Sequence, residues 1–233
     1  MNIVLLLAGG TGTRLGEKIP KQYIRVNGRM IIDYCMGSLL EYEHLDGLWI
    51  VADMMWCDEI KASCAKESAI MGFSNPGASR AGSIENGIND LWTYLPEDKR
   101  EGAVVVIHDA ARPLVSAKLL GRLISSCDEH DGAMPVLPMK DTIYFGGEDG
   151  VHIEKLLDRD RLYAGQAPEA FRLKAYREAI HKLTPEQTEL LRGTTEPAIM
   201  AGLDVIMVPG EENNFKITTP ADLERFKTLC HSE

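Results

Sequence analysis

The sequence lacks a long apolar run, an excess of basic charge and any cysteine pattern, and each absence removes a class of protein. The first apolar run lasts only from Ile3 to Ala8 and breaks at Gly9-Gly10. That is far short of a membrane span or of a signal peptide with a charged start, so a soluble, cytoplasmic protein with no membrane partner is expected. The 25 Lys and Arg stand against 35 Asp and Glu, a formal net charge of -10. Broad binding of DNA or RNA needs a basic surface that displaces counterions from phosphates, so nucleic acid is not an expected partner. The cysteines (Cys35, Cys57, Cys64, Cys127 and Cys230) are odd in number and show no C-x-x-C or His/Cys metal spacing. They read as thiols in a reducing compartment, with no disulfide and no structural zinc. Internal repeats and low-complexity linkers are absent too.

What is present is a chain of 233 residues, 45% of them hydrophobic, long enough to bury one substantial core. Ile3 to Leu7 is a short, continuous apolar run, as expected of a strand buried on both faces of a parallel sheet, and "AVVVIHD", Ala103 to Asp109, reads as a second buried strand. Leu48 to Asp53 reads as another strand and "AIMGF" as a further one, while "MIIDYCMGSLL", Asp58 to Ala65, "SIENGINDLW" and "AKLLGRLISSC" read as helices. Strands alternating with helices imply βαβ units, an α/β fold with helices on both faces of a mainly parallel sheet. Ligands in such sheets bind at the carboxyl ends of the strands, so the loop after Leu7 and "HDAARP" after Ile107 should share an edge. From about Met139 two short β-like pieces flank a glycine-rich turn, predicting a projecting β-arm at about 139–161. Helical "FRLKAYREAIHKL" and "PEQTELLRG", a strand at "DVIMVPG" and a helix at "TPADLERFKTLC" follow, the last with Thr219 as N-cap before Pro220.

A local concentration of positive charge in an acidic chain is informative, and it occurs in "LLLAGGTGTRLGEKIPKQY", Leu5 to Tyr23. No lysine follows the glycines at P-loop spacing, and Gly10-x-Gly12-x-x-x-Gly16 is one residue too long for the dinucleotide fingerprint. Glycines still let successive backbone amides approach an anion, and Arg14, Lys18 and Lys21 add charge to the same loop. The combination suits a polyphosphate better than a neutral molecule.

"AGGTGTR" closed by "PKQY" resembles the signature of nucleotidyltransferases that activate sugar or polyol phosphates. "PKQY" is more specific to the cytidylyltransferases acting on 2-C-methyl-erythritol 4-phosphate and ribitol 5-phosphate. "GASRAGSI", "HDAARP", "KDTI", "DRDRLYAGQAPEAF" and "NFKITTPADL" occur in that family's order along nearly the whole chain. The resemblance implies a single Rossmann-like nucleotidyltransferase domain over residues 1–233 that transfers CMP from CTP to a polyol phosphate and releases pyrophosphate. It also implies Mg2+ as cofactor and a homodimer joined through the arm.

Such a transfer needs positioning and neutralisation of charge rather than covalent help. By resemblance, the backbone at Leu7, Ala8, Gly9, Gly10, Gly12 and Thr13, with Arg14 and Lys21, holds the triphosphate, and Lys216 approaches the α-phosphate from the opposite side. Arg14, Lys21 and Lys216 are thus the catalytic candidates. Gly77, Ala78 and Ser83 would lie near the cytosine, with Arg80 shaping their loop. Asp109 would bind Mg2+ or the ribose, a hard divalent cation being suited to bridging phosphates. Arg112, Thr142 and, from a second subunit's arm, Arg159 would face the acceptor. A phosphate nucleophile is already ionised at neutral pH, so His108 reads as structural. The plainer alternatives are solvated lysines at 21 and 216, a loop-capping carboxylate at Asp109 and an ordinary helix N-terminus at Ser83.

Two departures from the family pattern fall on the acceptor side. Ala167 stands where the "Q-T-P-Q" stretch has threonine, and "RGTTEPA" offers Thr194, Thr195 and Glu196 where a "T/S-D" step is usual. "YAGQAPEAF" is similar to the ribitol-phosphate branch, so ribitol 5-phosphate or a related alditol phosphate, as used in cell-wall synthesis, ranks first. Methylerythritol phosphate, of isoprenoid biosynthesis, ranks second. A non-catalytic CTP-binding regulatory protein is the alternative of another class, and the glycine spacing disfavours a dinucleotide-dependent oxidoreductase.

Overall fold

The computed structural model describes residues 1–10 and 19–230. Strand β1 (Asn2–Leu7) leads to a small hairpin of β2 (Arg25–Val26) and β3 (Arg29–Met30). Its turn residues Asn27 and Gly28 both have positive φ, 50° and 81°, as an Asn-Gly turn between two strands requires. Then follow α1 (Ile31–Leu40), β4 (Gly47–Val51), α2 (Met54–Ser63), β5 (Ile70–Ser74), α3 (Arg80–Tyr94), α4 (Glu97–Arg100), β6 (Val104–Asp109) and α5 (Ala117–Ser126). The second half holds β7 (Gly132–Pro138), β8 (Tyr144–Gly146), β9 (Ile153–Leu156), β10 (Tyr163–Gly165), β11 (Glu169–Arg172), α6 (Leu173–His181), α7 (Pro185–Leu190), α8 (Glu196–Met200), β12 (Val205–Pro209) and α9 (Pro220–Cys230).

The main sheet runs β10-β7-β11-β6-β1-β4-β5, with β12 also on β7. β1 lies between β4 and β6, parallel to both, so that Leu7 pairs with Val51 on one side and Asp109 on the other. The loops after Leu7 and after Asp109 therefore leave the sheet at the same edge, as the sequence leads one to expect. The continuous apolar run of β1 is explained by burial on both faces. Ile3 and Leu5 pack with Ile84, Ile88 and Leu91 of α3, while Val4 and Leu6 pack with the α1 and α5 side through Met36, Leu39 and Leu120. A third cluster of Val26, Ile31, Ile217, Leu223 and Phe226 ties α9 to the hairpin and α1.

Several boundaries differ from the expected ones. α2 begins at Met54 rather than Asp58, because Asp53 caps it by accepting from the Met55 amide at 3.1 Å. α3 begins at Arg80, capped by Ser79 accepting from Gly82 N at 3.0 Å. Strands β7 and β11 are absent from the sequence reading. β7 carries glycine and two prolines in "GAMPVLP", and β11 opens with a glutamate, Glu169, so neither shows clean alternation. β10 and β11 run antiparallel to β7, and β11 also runs antiparallel to β6, which makes the sheet mixed at that end. The expected arm is a β8–β9 hairpin whose strand residues are all exposed. No described helix is long and apolar enough to cross a membrane.

Candidate active site

Residues of "PKQY" build the wall beside the β1 exit. Gln22 Nε2 donates to the carbonyls of Ala8 at 2.5 Å and Gly10 at 2.8 Å, and Tyr23 Oη donates to Ala8 O at 2.9 Å. Tyr23 also stacks on Trp56 with ring centroids 4.0 Å apart. Gln22 and Tyr23 are thus buried supports, while Lys21 Nζ reaches across to Ile217 O at 2.8 Å. Gly9 has a local reason to be glycine, since a Cβ there would collide with the Pro76 ring.

On the other side of the same edge, the Asp109 carboxylate gathers the cations. Its Oδ1 accepts from Arg80 Nε at 3.3 Å and Nη2 at 3.2 Å, its Oδ2 accepts from Lys216 Nζ at 2.8 Å, and Arg112 Nε lies 4.0 Å from Oδ2. Burial alone would raise this acid, but the adjacent Arg80 and Lys216 charges outweigh it and hold the carboxyl well below the usual carboxylate range. Lys216 is delivered by the segment before α9, where Ile217 N donates to Ala111 O at 2.8 Å. Neighbouring His108 is fully buried, its Nε2 lies 3.0 Å from Arg112 O, and burial pushes its pKa down to about 4. It is a neutral structural histidine.

The loop from Gly77 to the start of α3 forms the third wall. Ser83 Oγ accepts from Gly77 N at 3.0 Å and donates to Ser79 O at 2.8 Å, closing the loop on the helix. A Cβ on Gly77 would run into the Gly82 and Ser83 backbone. These walls enclose a cleft of about 400 Å³ that Leu7, Gly9, Gly10, Lys21, Gly77, Ala78, Arg80, Ser83, Asp109 and Lys216 line.

Most of the expected nucleotide-side residues therefore converge. Ala8 lies buried beneath the cleft and contributes its carbonyl to Gln22 and Tyr23. Gly12, Thr13, Arg14 and Lys18 lie outside the described residues. Arg112 stands behind the cleft, its Nη1 donating to Asn214 O at 2.7 Å. Thr142 and Arg159 are on the arm, away from this chain's cleft, with Arg159 Nη1 donating to Lys140 O at 2.8 Å. Ala167 is buried, its carbonyl accepting from Asn214 Nδ2 at 2.7 Å.

Arg80, which the sequence assigns only to shaping its loop, is the cleft residue whose contacts go beyond that expectation. It lines the cleft and bonds both Asp109 and, through Nη1 at 2.6 Å, Thr194 Oγ1. A signal existed: a cation in the first turn of a helix opposes the helix dipole and needs a compensating partner. Lys21, Arg80 and Lys216, with Arg112 behind them, face glycine backbone around a single carboxylate. That arrangement suits a bound polyanion on which negative charge accumulates.

The family model "IspD: 2-C-methyl-D-erythritol 4-phosphate cytidylyltransferase" matches residues 2–231 of the chain. A 2-C-methyl-D-erythritol 4-phosphate cytidylyltransferase of Rubrobacter xylanophilus is 36% identical over 95% of this chain and 91% of its own length. One of Thermotoga neapolitana is 33% identical over 99% of this chain and 97% of its own. A bifunctional IspD/IspF enzyme of Maricaulis maris is 33% identical, and this chain spans 57% of its length. Among solved structures, a 4-diphosphocytidyl-2C-methyl-D-erythritol synthase superposes with a TM-score of 0.80 at 22% identity, over 98% of each chain, showing the shared fold. The chain belongs to the IspD family of cytidylyltransferases and is a nucleotidyltransferase.

Proposed function

We propose that the protein transfers CMP from CTP to 2-C-methyl-D-erythritol 4-phosphate, releasing pyrophosphate and forming the CDP-polyol of isoprenoid synthesis. The observation that carries the reading is the convergence of Arg80 and Lys216 on the Asp109 carboxylate in a cleft that Lys21 and the Gly9-Gly10 backbone also line. The order of acceptors is thereby reversed from the sequence reading. Relatives of similar length bear the methylerythritol name, which outweighs the "YAGQAPEAF" similarity to the ribitol branch.

The residues divide the work as follows. The β1 exit and the Gly77–Ser83 loop bind and orient the nucleotide, with Arg14 joining from the glycine loop. Lys21 and Lys216 neutralise charge on the reacting and leaving phosphates, an effect that preorganised donors supply without rearrangement. No side chain has to remove a proton, because the acceptor phosphate is already an anion. Arg112 and Thr142, with Arg159 from a partner's arm in a homodimer, would hold the acceptor.

Among the described residues no three His, Cys, Asp or Glu side chains gather as a ligand set, and Asp109 offers one carboxylate. That fits Mg2+ arriving with a triphosphate, which binds through one or two carboxylates plus phosphate oxygens. Asp109 would hold it, and the ion when bound would offset phosphate charge. Pyrophosphate release should require CTP, Mg2+ and methylerythritol phosphate together. Faster release with ribitol 5-phosphate would return that acceptor to first place, and CTP binding without turnover on either would favour the regulatory alternative.

A further inference from the structure

The family's acidic step before the last strand is missing here, and Thr195 stands in its place with its hydroxyl on Met134 Sδ at 3.4 Å. The structure shows a carboxylate in the same neighbourhood that no step above uses. Glu169 opens β11, opposite Ile107 of β6, on the sheet face covered by α3 and α6. It occupies the last position of the stretch Gln166-Ala167-Pro168-Glu169, where the family pattern ends in glutamine. Its side chain is buried, and Oε2 has no hydrogen-bond partner among the described residues.

A chain of contacts connects this carboxylate to the cleft. The Thr194 hydroxyl lies beside the Glu169 carboxylate and partly offsets the effect of its burial. Thr194 Oγ1 accepts from Arg80 Nη1 at 2.6 Å, so its single hydroxyl hydrogen is free to point away from Arg80, toward an acceptor. Thr194 is itself fixed by Tyr176 Oη, which donates to its carbonyl at 2.7 Å. Arg80, held at this end through Nη1, places Nε and Nη2 on Asp109. We propose that Glu169 is a positioning residue that fixes the Arg80 guanidinium through Thr194, supplying from the sheet the carboxylate that the chain lacks at position 195. Burial raises the acid to about 7, so it is mostly charged in mildly alkaline assays.

The inference rests on the cytidylyltransferase reading for its kinetic consequence but not for its structural one, so the test has two arms. In ligand-free protein, exchange of the Arg80 Nε–H, followed by 15N NMR, should accelerate about tenfold or more in both E169Q and T194V. In turnover of CTP with methylerythritol phosphate at pH 8, each variant should lose about tenfold in kcat. CTP affinity by calorimetry should stay within about threefold of wild type, and the double variant should be no worse than either single one, as expected of two residues acting as a unit. Unchanged Arg80 exchange in E169Q would overturn the proposal whatever the enzyme's acceptor. Full kcat in E169Q, or losses that multiply in the double variant, would overturn it in an active enzyme. Absence of wild-type turnover would count against the functional reading alone, and the exchange arm would still decide the role of Glu169.

Discussion

Lys216 Nζ sits 2.8 Å from Asp109 Oδ2, while Arg80 occupies the other oxygen of the same carboxylate. One negative charge thus holds two cations from different walls of the cleft; the carboxylate is only 12% exposed, while the Arg80 and Lys216 side chains keep 35% and 33% of their surface in water. Removing one partner of a buried pair leaves the others uncompensated, which typically costs about 3–5 kcal/mol. Asp109→Asn should therefore lower the unfolding free energy in urea by roughly 3 kcal/mol and reduce kcat by about a hundredfold or more. A stable variant with reduced kcat would mean that Asp109 acts only toward ligand.

Lys21 donates to the carbonyl of Ile217, next to Lys216, so the two lysines are mechanically linked. Lys21→Ala should lower kcat by about a hundredfold, as loss of one preorganised donor does. Arg14→Ala should do the same from the glycine loop. Because Lys21 also steadies the segment that carries Lys216, the double variant K21A/K216A should lose less than the product of the single losses. Strictly multiplicative losses in steady-state kinetics would rule out that linkage.

Much of this architecture is legible in the sequence because burial on both faces writes itself as an unbroken apolar run. β1 is such a run and β6 opens with one, and their pairing brings the glycine loop and "HDAARP" to one edge. β7 and β11 escape notice because Gly132, Pro135 and Glu169 break the apolar pattern in strands whose neighbours are distant in sequence. The wider contacts of Arg80 are hidden for a related reason. Its partners Asp109 and Thr194 lie 29 and 114 residues away, so nothing local shows that it faces the cleft. The arm reads clearly as a hairpin, since its turn chemistry is local.

Asp222 organises the entry to α9, accepting from Thr218 N at 2.9 Å, Thr218 Oγ1 at 2.8 Å, Thr219 N at 2.8 Å and Thr219 Oγ1 at 2.9 Å. Partial burial opposes the charged form, but these donors prevail and bring the acid down to about 2. A depressed acid stabilises the fold above its ordinary pKa and loses that contribution as pH falls through the folded value. Asp222→Ala should cost about 1–2 kcal/mol at neutral pH, in the range of a lost helix cap. Since Thr218 also lines the cleft two residues from Lys216, kcat should fall as well, by roughly fivefold for about 1 kcal/mol of lost positioning. Thermal melts and initial rates on the same sample separate the two effects.

Buried His108 and Glu169 should give opposite pH dependences of stability that mask each other in the wild type. His108 is pushed from 6.5 down to about 4, so the unfolded chain binds the extra proton and stability is lost as pH falls from 6.5 toward 4. Glu169 is raised from 4.5 to about 7, so the folded chain holds the extra proton and stability is lost as pH rises from 4.5 toward 7. Between pH 4.5 and 6.5 each slope is about 1 kcal/mol per pH unit, with opposite sign. Removing one group exposes the other. In E169Q, stability relative to wild type should rise with pH across this window, and in H108Q it should fall. Urea unfolding at half-unit pH steps measures both, and parallel curves for all three proteins would show that neither group is shifted in the fold.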